Sequence, residues 1–151
     1  MEGPPTVGFR AFNQLLGECG LTFFAHRTLA PKLRRTFPQS LTDAPMLMPT
    51  QGTSLGRAVV QWFESQGVRP EVVAEFDDSA LMKTFGQDGV GVFPTPSVME
   101  VEVKRQYGVH VVGRADEIRA RFYAISPERR LKNPAVSAIC EAAREELFAS
   151  A

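Results

Sequence analysis

Between Pro45 and Pro94 short apolar runs alternate with stretches in which large apolar residues recur every three or four positions. Met46 to Met48 reads as a strand and Pro49 to Gly52 as a turn. From Thr53, suited to an N-cap, the spacing places Leu55, Val59, Trp62, Phe63 and Gln66 on one helical face. Four of those five are large and apolar, so the face packs on a core, and packing also accounts for Trp62. Gly67 stops this helix, with Pro70 beyond. Glu71 to Phe76 is a second strand. Asp77-Asp78-Ser79 opens a second helix through Leu81 and Phe85, which Gly86 and Gly89 end, and Val90 to Phe93 is a third strand before a Pro-stiffened turn. Two strand–helix–strand units in succession predict an α/β fold with a parallel sheet and right-handed crossovers. Sheets of that kind bind ligands outside the carboxyl ends of their strands.

Met1 to Gly8, rich in Gly and Pro, is a loose lead-in. The alternation from Phe9 to Leu16 predicts a strand, broken at Gly17 to Gly20 and resumed from Leu21 to His26. Pro31 opens one or two helical turns through Phe37, and Pro38 to Pro45 is a connector. Downstream, Ser97-Val98-Met99-Glu100 fits a capping box and predicts a helix from Val98 to Tyr107, stopped by Gly108. Val109 to Gly113 and Ile118 to Ile125 are two further strands, and Ser126 to Lys132 is a solvated basic loop. Asn133 and Pro134 start a final helix with an apolar face of Val136, Ile139, Cys140, Ala143 and Leu147.

Composition narrows the function. At 151 residues and 44% hydrophobic the chain can bury a core, and its 17 basic and 17 acidic residues cancel. A nucleic-acid binder carries a basic excess to displace counterions, so DNA binding by this chain alone is not expected. Cys19 and Cys140 read as two buried, reduced thiols of a cytoplasmic protein. No apolar run spans a membrane, and no basic-then-apolar secretion signal opens the chain. His26 and His110 fall inside apparent strands and read as structural. There is no H-E-x-x-H, C-x-x-C or Gly-rich phosphate loop, since Gly89-Val90-Gly91 precedes a strand and does not follow one. The expectation is a protein without catalytic activity and without a cofactor.

The candidate chemistry lies at the predicted carboxyl ends of three strands. Thr50, Gln51 and Thr53 follow the first, Phe76, Asp77 and Ser79 close the second, and Phe93, Pro94 and Thr95 close the third. Such a rim suits a small molecule or ion bound without being transformed. The same residues also suit caps, turns and core positions. Asp77 and Asp78 cap a helix in one reading and offer hard oxygen to a cation or an amine in the other.

Several stretches then carry a family resemblance. Pro45 to Arg57 (PMLMPTQGTSLGR), Gln61 to Pro70 (QWFESQGVRP) and Glu75 to Gly86 (EFDDSALMKTFG) resemble the effector-binding domain of LysR-type transcriptional regulators. So do Ala11 to Gly20 (AFNQLLGECG), Gln106 to Arg114 (QYGVHVVGR), Arg121 to Ser126 (RFYAIS) and Glu145 to Phe148 (EELF). Within that family the chain is most similar to sodium-responsive activators of sodium/proton antiporter genes. The resemblance implies a periplasmic-binding-protein-like (type 2) fold with the effector in a cleft between two lobes. Residues 45–108 would form lobe two, and residues 9–44 with 109–151 lobe one. Ligand-binding positions carried over are Thr50, Gln51, Thr53, Phe76, Asp77, Ser79, Phe93 and Pro94. The implied partners are a small-molecule or ion effector, with sodium as the ion, a homo-oligomer (dimer or tetramer) in the full-length form, and DNA through an N-terminal winged helix-turn-helix. That DNA-binding part, its linker helix and the first strand–helix–strand of lobe one have no counterpart here, which would leave lobe one incomplete and half of the cleft absent. The alternative is a stand-alone module binding an amino acid or carboxylate, with no role in transcription.

Overall fold

The computed structural model describes residues 12–126 and 134–148. The predicted lead-in, most of the basic loop, the Asn133 start of the final helix and the side chains of Val136 and Cys140 lie outside the described residues. In chain order the elements are β1 (Phe12–Ala25), α1 (Ala30–Arg34), a 3-10 turn (Gln39–Leu41), β2 (Pro45–Pro49), α2 (Ser54–Gln66), β3 (Glu71–Phe76), α3 (Ser79–Gln87), β4 (Phe93–Pro96), a second 3-10 turn (Ser97–Met99), α4 (Glu100–Tyr107), β5 (His110–Ser126) and α5 (Pro134–Ala143), which passes into a wider π-helical turn over Arg144–Phe148. They group into two compact units, Gly20–Ala120 and the described parts of Met1–Cys19 with Arg121–Ala151.

In the larger unit both faces of the sheet are covered, and strand alternation decides which residue faces which helices. Leu21, Phe23 and Ala25 of β1 and Met46 and Met48 of β2 share a core with Ala30 and Leu33 of α1 and Val59, Trp62 and Phe63 of α2. Phe24 and Leu47, one residue out of phase, pack with Met82 of α3, Phe93 of β4 and Val103 of α4. Phe23 is fully buried, its ring 5.6 Å from Trp62, 5.7 Å from Phe37 and 5.9 Å from Phe63. Trp62 is thus a core residue, and its Nε1 has no hydrogen-bond partner among the described residues.

β2 and β3 pair in parallel, as the two strand–helix–strand units require, with a register shift between Met46 and Leu47. Thr53 caps α2 by accepting from the Gly56 amide at 3.0 Å. Gly67 at φ 68° and Gly108 at φ 64° end α2 and α4 in the left-handed conformation that only glycine adopts at little cost.

The third strand differs from expectation. Val90 stays in the turn, 42% exposed, after Gly89 at φ 86°. Val92 then bridges β2 in parallel, its amide donating to the Pro45 carbonyl at 2.9 Å and its carbonyl accepting from the Leu47 amide at 2.7 Å. The next bonds of such a ladder would be donated by residues 94, 49 and 96 in turn. All three are proline and have no N–H, so the ladder stops after one bridge. β4 instead pairs antiparallel with β1, from Leu21↔Pro96 to Phe24↔Phe93. Among the described residues this leaves a sheet of order β4-β1-β5 beside the pair β2-β3.

β1 is continuous through Gly17 to Gly20, where a break is predicted, and Val109 to Gly113 and Ile118 to Ile125 merge into the single strand β5. The glycines mark close packing and not turns. A Cβ on Gly20 would come within 2.8 Å of the Asp116 Cα, and one on Gly113 within 2.4 Å of the Phe37 ring.

In the smaller unit the Phe122 and Phe148 rings lie 5.6 Å apart, with Gly17 against Phe148. Arg144 donates from Nε to the Leu15 carbonyl at 3.1 Å, and Arg121 pairs with Glu18. Of the apolar face predicted for the final helix, Ile139 is 67% exposed and Leu147 is 46% exposed. Phe148, on the turn beyond α5, takes the packing role expected of them.

Candidate functional site

The carboxyl ends of β2 and β3 meet side by side. The Thr50 amide donates to the Phe76 carbonyl at 3.0 Å, one step past the Pro49↔Phe76 pair that ends the parallel ladder. From there the chain turns tightly into α2. The Thr53 amide and Oγ1 both donate to the Thr50 carbonyl, at 3.1 and 2.8 Å, and the Gly52 amide approaches Thr50 Oγ1 at 3.4 Å. Gln51 is exposed, and its carbonyl accepts from Arg57 Nη1 at 3.2 Å. On the β3 side, the half-buried Phe76 ring meets the Phe85 edge at 5.3 Å, Asp77 is exposed, and Ser79 opens α3. Asp78 takes the capping role, its Oδ1 accepting from the Ala80 amide at 2.9 Å.

Five of the eight predicted positions, Thr50, Gln51, Thr53, Asp77 and Ser79, therefore present polar groups at one edge of the larger unit, with Phe76 between them. Phe93 and Pro94 sit deeper. Phe93 is fully buried, stacked 5.8 Å from Phe24, and Pro94 lies opposite Phe23 in the β1–β4 ladder. Arg57 is a rim residue that the sequence reading passes over. Its position, four residues after the Thr53 cap, places it on the same helix face and could have flagged it.

A second polar cluster was also missed. Thr22 and Thr95 are the buried polar side chains of this unit among the described residues. Thr22 Oγ1 lies 2.9 Å from Ser97 Oγ and donates to Glu100 Oε2 at 2.8 Å, while Arg114 grips Glu100 with two bonds, Nε to Oε2 at 3.0 Å and Nη2 to Oε1 at 2.6 Å. Ser97 and Glu100 are the two ends of the predicted capping box, yet neither helix start carries a side-chain cap bond. Their polar groups are taken by β1 and β5 instead.

The Arg114 hydrogen bonds, aided by Thr22 and by the charges of Arg114 and Lys104, hold the Glu100 carboxyl below the usual glutamate range, with partial burial opposing them. A carboxyl whose folded pKa is depressed contributes stability above its unfolded pKa, and that contribution is lost as pH falls through the folded value. The melting temperature should therefore fall as pH drops through and below about 4–5. Glu100→Gln should cost about 1–2 kcal/mol at neutral pH and flatten that part of the profile. Melts of parent and variant from pH 3 to 7 check this; parallel profiles would refute it.

His26 serves a local turn, with Thr28 donating its amide to Nδ1 at 3.1 Å and its hydroxyl 2.8 Å away. Cys19 is a buried free thiol. Among the described residues no helix is long and apolar enough to cross a membrane, and no group of three or more His, Cys, Asp or Glu side chains could hold a metal ion.

A family model described as the LysR substrate binding domain matches residues 10–148. The transcriptional activator protein NhaR of Escherichia coli K12 is 34% identical over 140 residues, covering 93% of this chain and 46% of that protein. The chain thus spans about half the length of the curated relatives it matches. Among solved structures, the regulatory domain of CcmR from Synechocystis PCC6803 in complex with 2-PG superposes with a TM-score of 0.66 at 16% identity, covering 99% of this chain and 72% of that one. The apo regulatory domain of HypT from Salmonella typhimurium gives 0.63 at 19% identity, covering 91% and 66%. Likeness at such identities speaks for a shared fold.

Proposed function

Because this chain belongs to the LysR substrate-binding domain family, with its periplasmic-binding-protein-like type 2 fold, we propose that it senses an effector at the edge where β2 and β3 end. Thr50, Gln51, Thr53, Asp77 and Ser79 offer polar groups to the effector there. Phe76 is the apolar wall, and Phe93 and Pro94 support it from the core. The observation that carries this reading is the 3.0 Å bond joining Thr50 to Phe76, which sets two strand ends and two helix starts side by side. In this reading residues 45–108 are lobe two, and residues 9–44 with 109–151 belong to lobe one. The effector is a small molecule or ion, with sodium first in line, and the regulator controls ion-antiporter or related genes in the cytoplasm. No catalysis is involved. DNA is contacted by a separate part of the whole regulator.

Binding would act by favouring one of two packings, so the whole protein works as a homo-oligomer, a dimer or tetramer. The exposed apolar groups of β3 and α3 support that reading: Val72 is 49% and Val73 44% exposed on a strand with no partner on its outer side among the described residues, and Leu81 is 47% and Phe85 40% exposed on α3.

Thermal melts in sodium chloride and potassium chloride at matched ionic strength test the ion. Sodium at about ten times its dissociation constant should add roughly 1.4 kcal/mol of stability by linkage. Asp77→Asn should abolish the difference. Identical melts in the two salts would remove sodium as the effector, and a sodium effect untouched by Asp77→Asn would move the site away from this edge.

A further inference from the structure

At the start of β5, away from the rim, α1, α4 and β5 enclose an open pocket of about 400 Å³. Its lining brings together Arg34, Lys104, His110 and Arg114 with residues 111–113. Gly20 approaches Ala115 and Asp116 while Glu18 pairs with Arg121, so β5 runs antiparallel to β1 and begins at the end of the sheet where β2 and β4 also begin. The rim lies at the opposite, carboxyl end.

Two features make this more than a set of solvated cations. Arg34 is fixed, its Nε donating to the Val111 carbonyl at 3.0 Å, which leaves its terminal nitrogens to donate elsewhere. The charges also count: Arg114 is gripped by Glu100, which also feels the charge of Lys104, whereas Arg34 forms no salt bridge with a described residue. Three cationic side chains and a histidine, with Glu100 and Asp116 offsetting Arg114, converge on a cavity of small-ligand size.

We propose that this pocket binds a compact anion carrying at least two negative charges, a phosphate ester or a di- or tricarboxylate, independently of the effector at the rim. Bulk DNA is a poorer match for a concavity this small in a chain of zero net charge.

The test uses the whole chain, with pyrophosphate and citrate as probes at constant ionic strength and constant sodium. A saturating probe should raise the melting temperature by about 3 °C, and the preferred probe separates phosphate from carboxylate chemistry. In calorimetry Lys104→Glu should weaken binding by about tenfold or more, while Lys83→Glu, the same charge change on α3, should leave it unaltered. Amide NMR shifts on titration should centre on residues 110–114 and the end of α4, a readout that holds even if a variant folds poorly. No shift with either probe, an equal loss in Lys83→Glu, or shifts centred on Thr50 and Phe76 would overturn the proposal. None of these outcomes bears on sodium at the rim.

Discussion

Phe23→Ala is expected to be the most damaging single truncation in the larger unit, lowering stability by about 3–5 kcal/mol. Phe23 has no exposure and is the ring on which Trp62, Phe37 and Phe63 converge. Its removal strips one wall from each of these partners, which come from α2 and from the segment after α1, so no one element can close the gap by moving alone. A domain of this size holds about 5–15 kcal/mol in all, so the variant would sit near the edge of folding. Urea unfolding followed by near-ultraviolet circular dichroism and by tryptophan fluorescence should show an earlier midpoint. The melting temperature should fall by about 10 °C. A loss below 1 kcal/mol would mean that this cluster does not hold the sheet to α2.

Gly56→Ala should cost about 3 kcal/mol, although alanine is the better helix former by about 1 kcal/mol. A Cβ there would stand 2.1 Å from the Thr50 carbonyl oxygen, 2.7 Å from its carbon and 2.9 Å from the Pro49 oxygen. Those are backbone atoms at the root of the rim, and no rotamer can clear them. Either α2 lifts from the end of β2 or the turn that binds Thr53 to Thr50 opens. Any ion or ligand response that depends on the rim should go with it. A variant within 0.5 kcal/mol of the parent in chemical denaturation would show that α2 sits more loosely on β2 than the geometry says.

Much of the larger unit was legible because its elements obey local rules. The 3.6-residue stripe of α2, the Thr53 cap, the Gly67 stop and the apolar run of β2 each act through near neighbours, and all are found where expected. What the sequence hid depends on partners far along the chain. Ser97 and Glu100 have the spacing of a capping box, but Thr22 and Arg114, from two other strands, compete for the same groups and win. Gly17 to Gly20 reads as a break in the strand because a glycine pair is ambiguous until the side chain or strand that needs the space is known. The polar part of the rim follows from strand ends alone and was readable. The depth of Phe93 and Pro94 was not, since it depends on pairing with β1.

The three prolines at 49, 94 and 96 give the larger unit a fault line. Over that stretch β2 and β4 lie next to each other with no amide to share, so parting them severs packing contacts but no hydrogen bond. A sheet zipped along its whole width resists such movement bond by bond. This one can yield at a single seam that runs up to Thr50, and a ligand at the strand ends would find there the softest direction in which to push.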